Sequence, residues 1–427
     1  MLIKYNVLAV IGAGVGLANS MLVWKLFGAN INSDIWLLSV AIIAILSLLV
    51  LIGIEQFQVF YTEIYLKDEK AASQFLGAAG LWALASGILF SLICYGIVDI
   101  IINSFAGGLP IESKKIAIAA FLILLTQVAI APLVHVTRCT LNVHQYYGAS
   151  YCLSLILPIW QMIVLTIFIF LKKQDVVELA KWSCAAVLIQ ILSCPLILIK
   201  WANIPKNISV QFFGSFVKNS FTMRIGHSFH NFFVGLILNN ALSHQAPGVI
   251  SIFQYAKKFS DGLAGVAIGP QANIYHVRQA KAWSERNASI FYENIKVYLK
   301  NTLPLYVAGV ICVWVFLPWL FSLLAKDGDA SSTEKIKTVF LALSAWQGII
   351  SIETIFAGIV VIARRSMILW LVNGIFIFVF YFSVKAMPLD ASVLWISITG
   401  LLSQFISFIF YAFLSWILVS KHFIKFK

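Results

Sequence analysis

Long apolar runs constrain this chain more than any other feature. Many of them extend for 20 residues or more, and about 20 apolar residues are needed for a helix to cross roughly 30 Å of hydrocarbon. Hydrophobic residues make up 61% of the chain and charged residues only 11%, whereas soluble domains carry about 25% charged residues. The excess apolar surface must face lipid, so the sequence predicts an all-α integral membrane protein with about 12 transmembrane helices.

The predicted spans are separated by short connections. They lie near residues 5–27, 35–57, 74–103, 116–136, 150–171, 179–199, 219–242, 247–274, 302–325, 336–362, 367–386 and 391–419. The longest connections, 199–218 and 275–301, are too short to hold an extramembrane domain. The linker 199–218 separates two sets of six spans, which predicts an N-terminal lobe of residues 1–205 and a C-terminal lobe of residues 206–427.

Similar segments at matching places in the two halves indicate an internal repeat. The second predicted helix ends in Ile52-Gly53-Ile54-Glu55, and the eighth ends in Ile268-Gly269-Pro270-Gln271. A polar, amphipathic segment follows each of them, at 58–73 and 275–300. An even number of spans per repeat gives both halves the same orientation. We therefore expect two six-helix lobes related by an axis along the membrane normal, with a central cavity between them.

The net charge of +13 is explained by the membrane. With a cytoplasmic N-terminus, all the loop arginines and most of the loop lysines fall on inner segments, so we expect both termini in the cytoplasm. Anionic lipid, rather than nucleic acid, is the expected partner of the basic loops. The six cysteines have neither metal-ligand spacing nor a disulfide framework, and we expect no metal or cofactor.

Ionisable residues inside spans are costly and therefore mark candidate functional sites. The seventh predicted span contains Arg224, His227, His230 and Asn231. Arg224, His227 and Asn231 share one stripe at helical spacing, with His230 on its flank, and such a stripe faces a cavity or another helix rather than lipid. Two simpler interpretations stay open. Arg224 could extend to the inner interface, and the histidines could hydrogen-bond between helices.

The eighth predicted span contains Lys257, Lys258 and Asp261. Lys257 and Asp261 are four residues apart, which predicts an ion pair within the helix and leaves Lys258 without a local partner. Together with Arg224, these residues carry a net positive charge and imply an anionic ligand, for which a phosphate or pyrophosphate group is best suited. The alternative is that the lysines lie at the outer interface.

Two acids are candidates for coupling transport to a proton or sodium gradient. Glu353 lies in the tenth predicted span, and Asp261 is the second candidate. An alternative role for Glu353 is an ion pair with a basic group across the cavity. The sequence has no phosphate-binding GxxxxGK[ST] motif and no loop with a catalytic Ser/His/Asp set, so we expect a transporter rather than an enzyme.

The stretch Phe27-Gly28-Ala29-Asn30-Ile31-Asn32-Ser33-Asp34, followed nineteen residues later by Gly53, resembles the first hairpin of the MviN-type lipid II flippases. That family shows FGA, four variable residues, an Asp, and a Gly at the end of the second helix. The resemblance covers roughly residues 15–70. The wider group is the multidrug/oligosaccharidyl-lipid/polysaccharide (MOP) exporter superfamily, whose members resemble two six-helix lobes around a central cavity.

The resemblance implies export of an undecaprenyl-pyrophosphate-linked oligosaccharide across the bacterial cytoplasmic (inner) membrane by alternating access. Lipid II flippases typically have fourteen spans and basic residues in the first helix, whereas this chain has room for twelve and offers Ala13 and Asn19 there. This pattern favours a flippase for an O-antigen, capsule or exopolysaccharide unit. A lipid II flippase, a MATE-like small-molecule antiporter, and an enzyme or scaffold of a polysaccharide assembly complex stay open as alternatives.

Overall fold

The computed structural model describes residues 2–203, 210–322, 330–363, 365–388 and 392–424. Throughout these residues the secondary structure is helical, without a β-strand. The α-helices are α1 (Leu2–Phe27), α2 (Ile31–Val50), α3 (Phe57–Tyr65), α4 (Glu69–Gly96), α5 (Val98–Phe105), α6 (Ile111–Val143), α7 (Tyr147–Leu171), α8 (Val176–Leu198), α9 (Val210–Ser243), α10 (Val249–Ala267), α11 (Gly269–Ser284), α12 (Ala288–Ser322), α13 (Ala330–Ile362), α14 (Ser366–Lys385) and α15 (Val393–Ile424). A short 3₁₀ helix, η1, covers Leu51–Ile54.

Twelve of the helices just described have 19 residues or more, and they match the twelve predicted spans in order. Within the described ranges, nine helices are long and apolar enough to cross a membrane. Helix α10 is not one of them, because its 19 residues include Lys257, Lys258 and Asp261. The predicted all-α membrane fold is confirmed.

Three predicted spans end earlier than expected. The span predicted at 35–57 ends at Val50, where η1 begins. The span predicted at 74–103 ends at Gly96, and Ile97 leaves helical geometry before α5 begins. The span predicted at 247–274 ends at Ala267, because Pro270 lies in the first turn of α11 and has no N–H to continue the preceding helix. The amphipathic segment expected at 275–300 is correspondingly divided between α11 and the first turns of α12.

Two glycines shape the turns that precede α2 and α10. Gly28 ends α1 with a φ of +73°, and its N–H donates to the carbonyl of Trp24 over 2.6 Å. Gly248 has a φ of +93°, and a Cβ there would lie 2.6 Å from the carbonyl oxygen of Ala29. Both positions need a residue without a side chain, one for its left-handed conformation and the other also for its close backbone contact.

The helices form two compact units. Unit 1 contains Met1–Asn30 and His244–Lys427, and unit 2 contains Ile31–Ser243. In unit 1, α1 packs on α10, and the ring of Trp24 contacts those of Tyr255 and Phe321 at centroid distances of 5.2 and 4.8 Å. In unit 2, α9 packs on α2. Each unit therefore contains the first long helix of the other predicted lobe, and the lobe boundary at 205/206 stays a prediction.

Each unit contains a long helix that breaks at a glycine and continues into a short helix. In unit 2 this is the first corner, residues 51–65, which comprises η1 and α3. In unit 1 it is the second corner, residues 268–284, which comprises the α10–α11 break and α11. These corners lie where the sequence predicts the internal repeat.

Candidate functional site

The predicted polar stripe on α9 is described in part. His230 and Asn231 are half-buried in unit 2, while the side chains of Arg224 and His227 lie outside the described residues. Other polar groups of α9 bond within unit 2. The Ser220 hydroxyl accepts a hydrogen bond from the backbone N–H of Gln56 over 3.2 Å. The amide of Asn240 donates to the carbonyl of Ser104 over 2.8 Å. These bonds attach α9 to Gln56, directly before α3, and to α5. Neither bond involves a histidine, so hydrogen bonding of the α9 histidines between helices stays a prediction.

Helix α10 contains the ion pair that its sequence predicts. The Lys257 ammonium contacts one carboxylate oxygen of Asp261, and the two side chains are 42% and 38% exposed. The other carboxylate oxygen accepts a hydrogen bond of 2.9 Å from the side-chain amide of Gln347 on α13. Asp261 is therefore fixed by partners on two helices. Gln347 was not predicted from the sequence, where it is one uncharged residue in an apolar span.

Lys258 is the next residue after Lys257 and differs from it in exposure and in pairing. Its side chain is exposed, and no ion pair to it is found among the described residues. Because Lys257 and Asp261 compensate each other, Lys258 gives α10 one net positive charge, at a position where the sequence predicts a membrane span. An exposed ammonium at this position can bind an anion without first breaking an ion pair.

Glu353 lies half-buried on α13 and is part of a hydrogen-bonded chain to α15. The side-chain amide of Gln404 donates to its carboxylate over 2.6 Å, and the Gln404 oxygen accepts from the indole N–H of Trp346 over 3.0 Å. Within the described part of the chain, no cation pairs with Glu353. The Trp346 ring lies against Gly400, where an added Cβ would approach the ring to 2.1 Å.

In each of these two polar clusters, only the charged residue could be predicted from the sequence. The sequence identifies Glu353 and Asp261 because charge within a span is conspicuous. It gives no comparable signal for Gln404 and Gln347, because an uncharged amide is unremarkable until its partner is known. Both clusters use α13, which places an intramembrane acid or amide opposite α10 and α15.

The described residues contain no group of three or more His, Cys, Asp or Glu side chains that could hold a metal ion. All six cysteines are free thiols. The chemistry available in the described part of unit 1 is therefore ionic: an exposed ammonium on α10, a compensated ion pair beside it, and a carboxylate on α13 bonded to a neutral amide.

Several solved transporter structures share this fold. The lipid II flippase MurJ, in an inward closed conformation, matches with a TM-score of 0.77 at 15% identity, over 96% of this chain and 87% of its own. An inward-facing multidrug resistance MATE family transporter of the MOP superfamily matches with a TM-score of 0.76 at 15% identity, over 96% of this chain and 94% of its own. A MOP superfamily transporter from Pyrococcus furiosus, described as having a binding pocket of reverse polarity, matches with a TM-score of 0.67 at 15% identity, over 99% and 96% of the two chains.

At the level of sequence, no family profile matches the chain and no curated protein matches it. At 15% identity, the structural similarity shows the arrangement of the helices but not the substrate. One fold hosts many functions, and the binding site decides among them. The agreement nevertheless extends over nearly the whole chain for transporters of different cargo. The chain therefore has the fold of the MOP superfamily transporters.

Proposed function

We propose that this protein is a flippase that moves an undecaprenyl-pyrophosphate-linked oligosaccharide across the bacterial cytoplasmic membrane. The cargo is an O-antigen, capsule or exopolysaccharide unit. In this proposal the lobes 1–205 and 206–427 rock about a central cavity that opens to each side in turn. Both termini are cytoplasmic, and the polyprenyl tail of the cargo stays in lipid.

The observation that carries the proposal is the net positive charge that Lys258, an exposed residue, gives α10, which lies where the sequence predicts the eighth membrane span. Charge at this depth is costly and persists where it serves a ligand or a partner. Lys257 is compensated by Asp261, so Lys258 supplies the net charge of α10 and favours an anionic cargo. A pyrophosphate would accept hydrogen bonds from this ammonium in place of water.

The remaining predicted cargo contacts lie on α9. His230 and Asn231 would donate to phosphate or sugar oxygens, and Arg224 and His227 stay predictions from the sequence. Lys257 would contact the cargo only by sharing its ammonium with Asp261. We therefore rank Lys258 first among the described contacts.

Coupling is assigned to Glu353 before Asp261. Asp261 already accepts from Lys257 and from Gln347, so taking up a proton or sodium ion would require breaking two contacts. Glu353 has a neutral amide as its partner, and cation binding there separates no opposite charges. The same carboxylate is the feature that favours a MATE-like small-molecule antiporter as the second candidate, and a lipid II flippase remains the third.

The test is the accumulation of lipid-linked saccharides in cells depleted of this protein. Complementation compares wild type, Lys258→Ala and the control Lys115→Ala, which removes an exposed lysine paired with Glu112. We expect wild type and Lys115→Ala to clear the undecaprenyl-pyrophosphate saccharide. Lys258→Ala should clear it at least about tenfold more slowly, because a hydrogen bond to a charged group is lost. Immunoblots confirm equal amounts of protein in the membrane.

Each outcome decides a different part of the proposal. If no lipid-linked saccharide accumulates on depletion, the flippase proposal fails, and efflux of small cations becomes the assay for the antiporter. If it accumulates and Lys258→Ala clears it like wild type, the flippase stands and the cationic site is wrong. Accumulation of lipid II alone would favour the peptidoglycan-precursor alternative.

A further inference from the structure

A cavity lined mainly by polar residues lies between α11 and α12, and no charged residue of α10 lines it. Its volume is about 150 Å³, several times the roughly 30 Å³ that one water molecule occupies in the liquid. The polar side chains that line it belong to Gln271, Tyr275, Arg278, Asn294, Tyr298 and Asn301. Both helices belong to unit 1, so the cavity is a feature of that unit alone.

The cavity lining has more hydrogen-bond donors than acceptors. Tyr275 is 3% exposed, and its buried hydroxyl has no partner among the described residues. The buried amide nitrogen of Asn294 also lacks one within the same ranges. The Tyr298 hydroxyl, by contrast, donates to the carbonyl of Ser351 over 3.2 Å. Buried polar groups in native proteins are almost always satisfied, so Tyr275 and Asn294 indicate that something accepts hydrogen bonds here.

The charge of the lining is positive. Arg278 lines the cavity and is otherwise exposed, and the residues described around it provide no carboxylate to pair with it. A guanidinium group presents a planar fork of donors that fits two oxygens of a phosphate at once. The amide of Asn294 and the hydroxyl of Tyr275 add neutral donors. This set suits an oxyanion, because its only charged member is the Arg278 guanidinium.

The position of the cavity favours a phosphate at the membrane surface. Helix α12 is apolar enough to cross a membrane, and the residues of α12 that line the cavity lie in its first half, where Lys296 and Lys300 are also found. Helix α11 follows the charged helix α10 and carries Arg278 and Lys281. We propose that this cavity binds a phosphate group, either the headgroup phosphate of an anionic lipid or free phosphate.

The proposal is tested on the full chain in neutral detergent, with thermal unfolding followed by tryptophan fluorescence. One arm titrates dioleoyl phosphatidylglycerol, with zwitterionic phosphatidylcholine as the comparison without net charge, and the other titrates inorganic phosphate. Binding to the folded state alone raises the unfolding temperature in a saturable way. The variants are Arg278→Gln, Tyr275→Phe and the control Lys281→Gln, which removes a charge from α11 at a side chain 75% exposed and outside the cavity.

We expect a saturable rise in the unfolding temperature with phosphatidylglycerol, with inorganic phosphate, or with both. The half-saturating concentration should increase about tenfold or more in Arg278→Gln, since a charged bidentate contact is lost. Tyr275→Phe should weaken binding several-fold while keeping the ring in place. Lys281→Gln should leave the half-saturating concentration unchanged within about twofold, since a surface charge contributes little.

The two arms separate the sources of the phosphate. A response to phosphatidylglycerol without one to inorganic phosphate assigns the site to a lipid headgroup, and a response to inorganic phosphate alone assigns it to the free anion. A response to both assigns it to the phosphate group that the two share. If neither probe gives a saturable rise, the cavity holds only water and the proposal is overturned. It is also overturned if Lys281→Gln weakens binding as much as Arg278→Gln, because the effect is then one of surface charge.

Discussion

The first and second corners have the same backbone plan and opposite interiors. In the first corner the ring of Phe57 stacks on Phe75 at 5.8 Å, and Phe75 meets Phe216 edge-on at 5.3 Å. Phe57 and Phe216 are fully buried. In the second corner Tyr275 contacts Tyr298 at 4.9 Å, but both rings also border a cavity lined mainly by polar residues.

The difference shows how one repeated corner can serve two purposes. Aromatic rings that fill the first corner fix the direction of α3 against α4 and α9 through dry contacts. The second corner has less aromatic packing. Its donors Tyr275 and Asn294 have no partner in the described structure. Leaving polar groups unsatisfied weakens the apo fold, which is a cost expected of a binding site rather than of a structural brace.

The largest difference should appear when each corner loses a large side chain. Phe57→Ala should destabilise the protein by about 3–5 kcal/mol, because it opens a cavity in a close-packed cluster. The matched change Ile274→Ala should cost less than about 2 kcal/mol, because Ile274 already borders a cavity and only its own burial is lost. Thermal and denaturant-induced unfolding of both variants in one detergent measures the difference. Equal losses would contradict the contrast between the corners.

The positions of the helices were largely predictable from the sequence because spanning lipid imposes length and hydrophobicity on every helix. The breaks within the helices were less predictable. Gly269-Pro270 is part of the observed repeat, yet the predicted span continues to residue 274, because no charged residue follows Asp261 until Arg278 and hydropathy does not register the hydrogen bonds that Pro270 interrupts. Likewise, Ile97 is an apolar residue in an apolar stretch, but its backbone is not helical and α4 ends before it. Hydropathy is insensitive to such interruptions.

The candidate site was predictable where it depends on local spacing. The Lys257–Asp261 pair follows from a separation of four residues on one helix. The bonds from Gln347 to Asp261 and from Gln404 to Glu353 join residues 86 and 51 positions apart. Only the tertiary arrangement brings such pairs together, so no spacing rule could have found them.

A pair of tyrosine variants should give an effect of intermediate size. Tyr61 in the first corner is 1% exposed, and its hydroxyl lies 2.9 Å from Nε2 of His144. Tyr61→Phe should cost about 1 kcal/mol, since it removes a hydrogen bond and leaves a ring nitrogen unpartnered. Tyr275→Phe should be neutral or stabilising when no phosphate is present, because its hydroxyl has no partner within the described ranges to lose.

The tyrosine comparison is read from unfolding temperatures in phosphate-free buffer and delipidated detergent. A loss for Tyr275→Phe equal to that for Tyr61→Phe would show that the second corner is satisfied without a ligand. Adding the phosphate probe should then stabilise wild type more than Tyr275→Phe. This order of effects would separate a ligand site from a corner that merely packs less well.

The smallest effect concerns pH, because acid should lower the stability of both corners. Burial lowers the pKa of His144 below its usual 6.5, aided by Lys200 and opposed by Glu69, and burial also lowers the pKa of His276. Since the unfolded chain then takes up protons first, stability is full above about pH 6.5 and falls as the pH drops below it. With solvent screening at half-buried rings, each loss should stay below about 1 kcal/mol.

His144, which contacts the first corner, has a partner that senses its protonation. The direction of its hydrogen bond with Tyr61 depends on the tautomer of neutral His144, whereas protonated His144 donates at Nε2, and its ring is stacked on Trp201 at 4.5 Å. His144→Phe retains an aromatic ring on Trp201 and cannot be protonated, so its unfolding temperature should change less than that of wild type between pH 7.5 and 5.5. Comparison with His276→Phe then tells whether acid acts on the packed corner, on the corner with the cavity, or equally on both. If neither variant reduces the acid sensitivity, the loss of stability originates elsewhere, because the two substitutions remove His144 and His276, the described histidines whose pKa burial lowers.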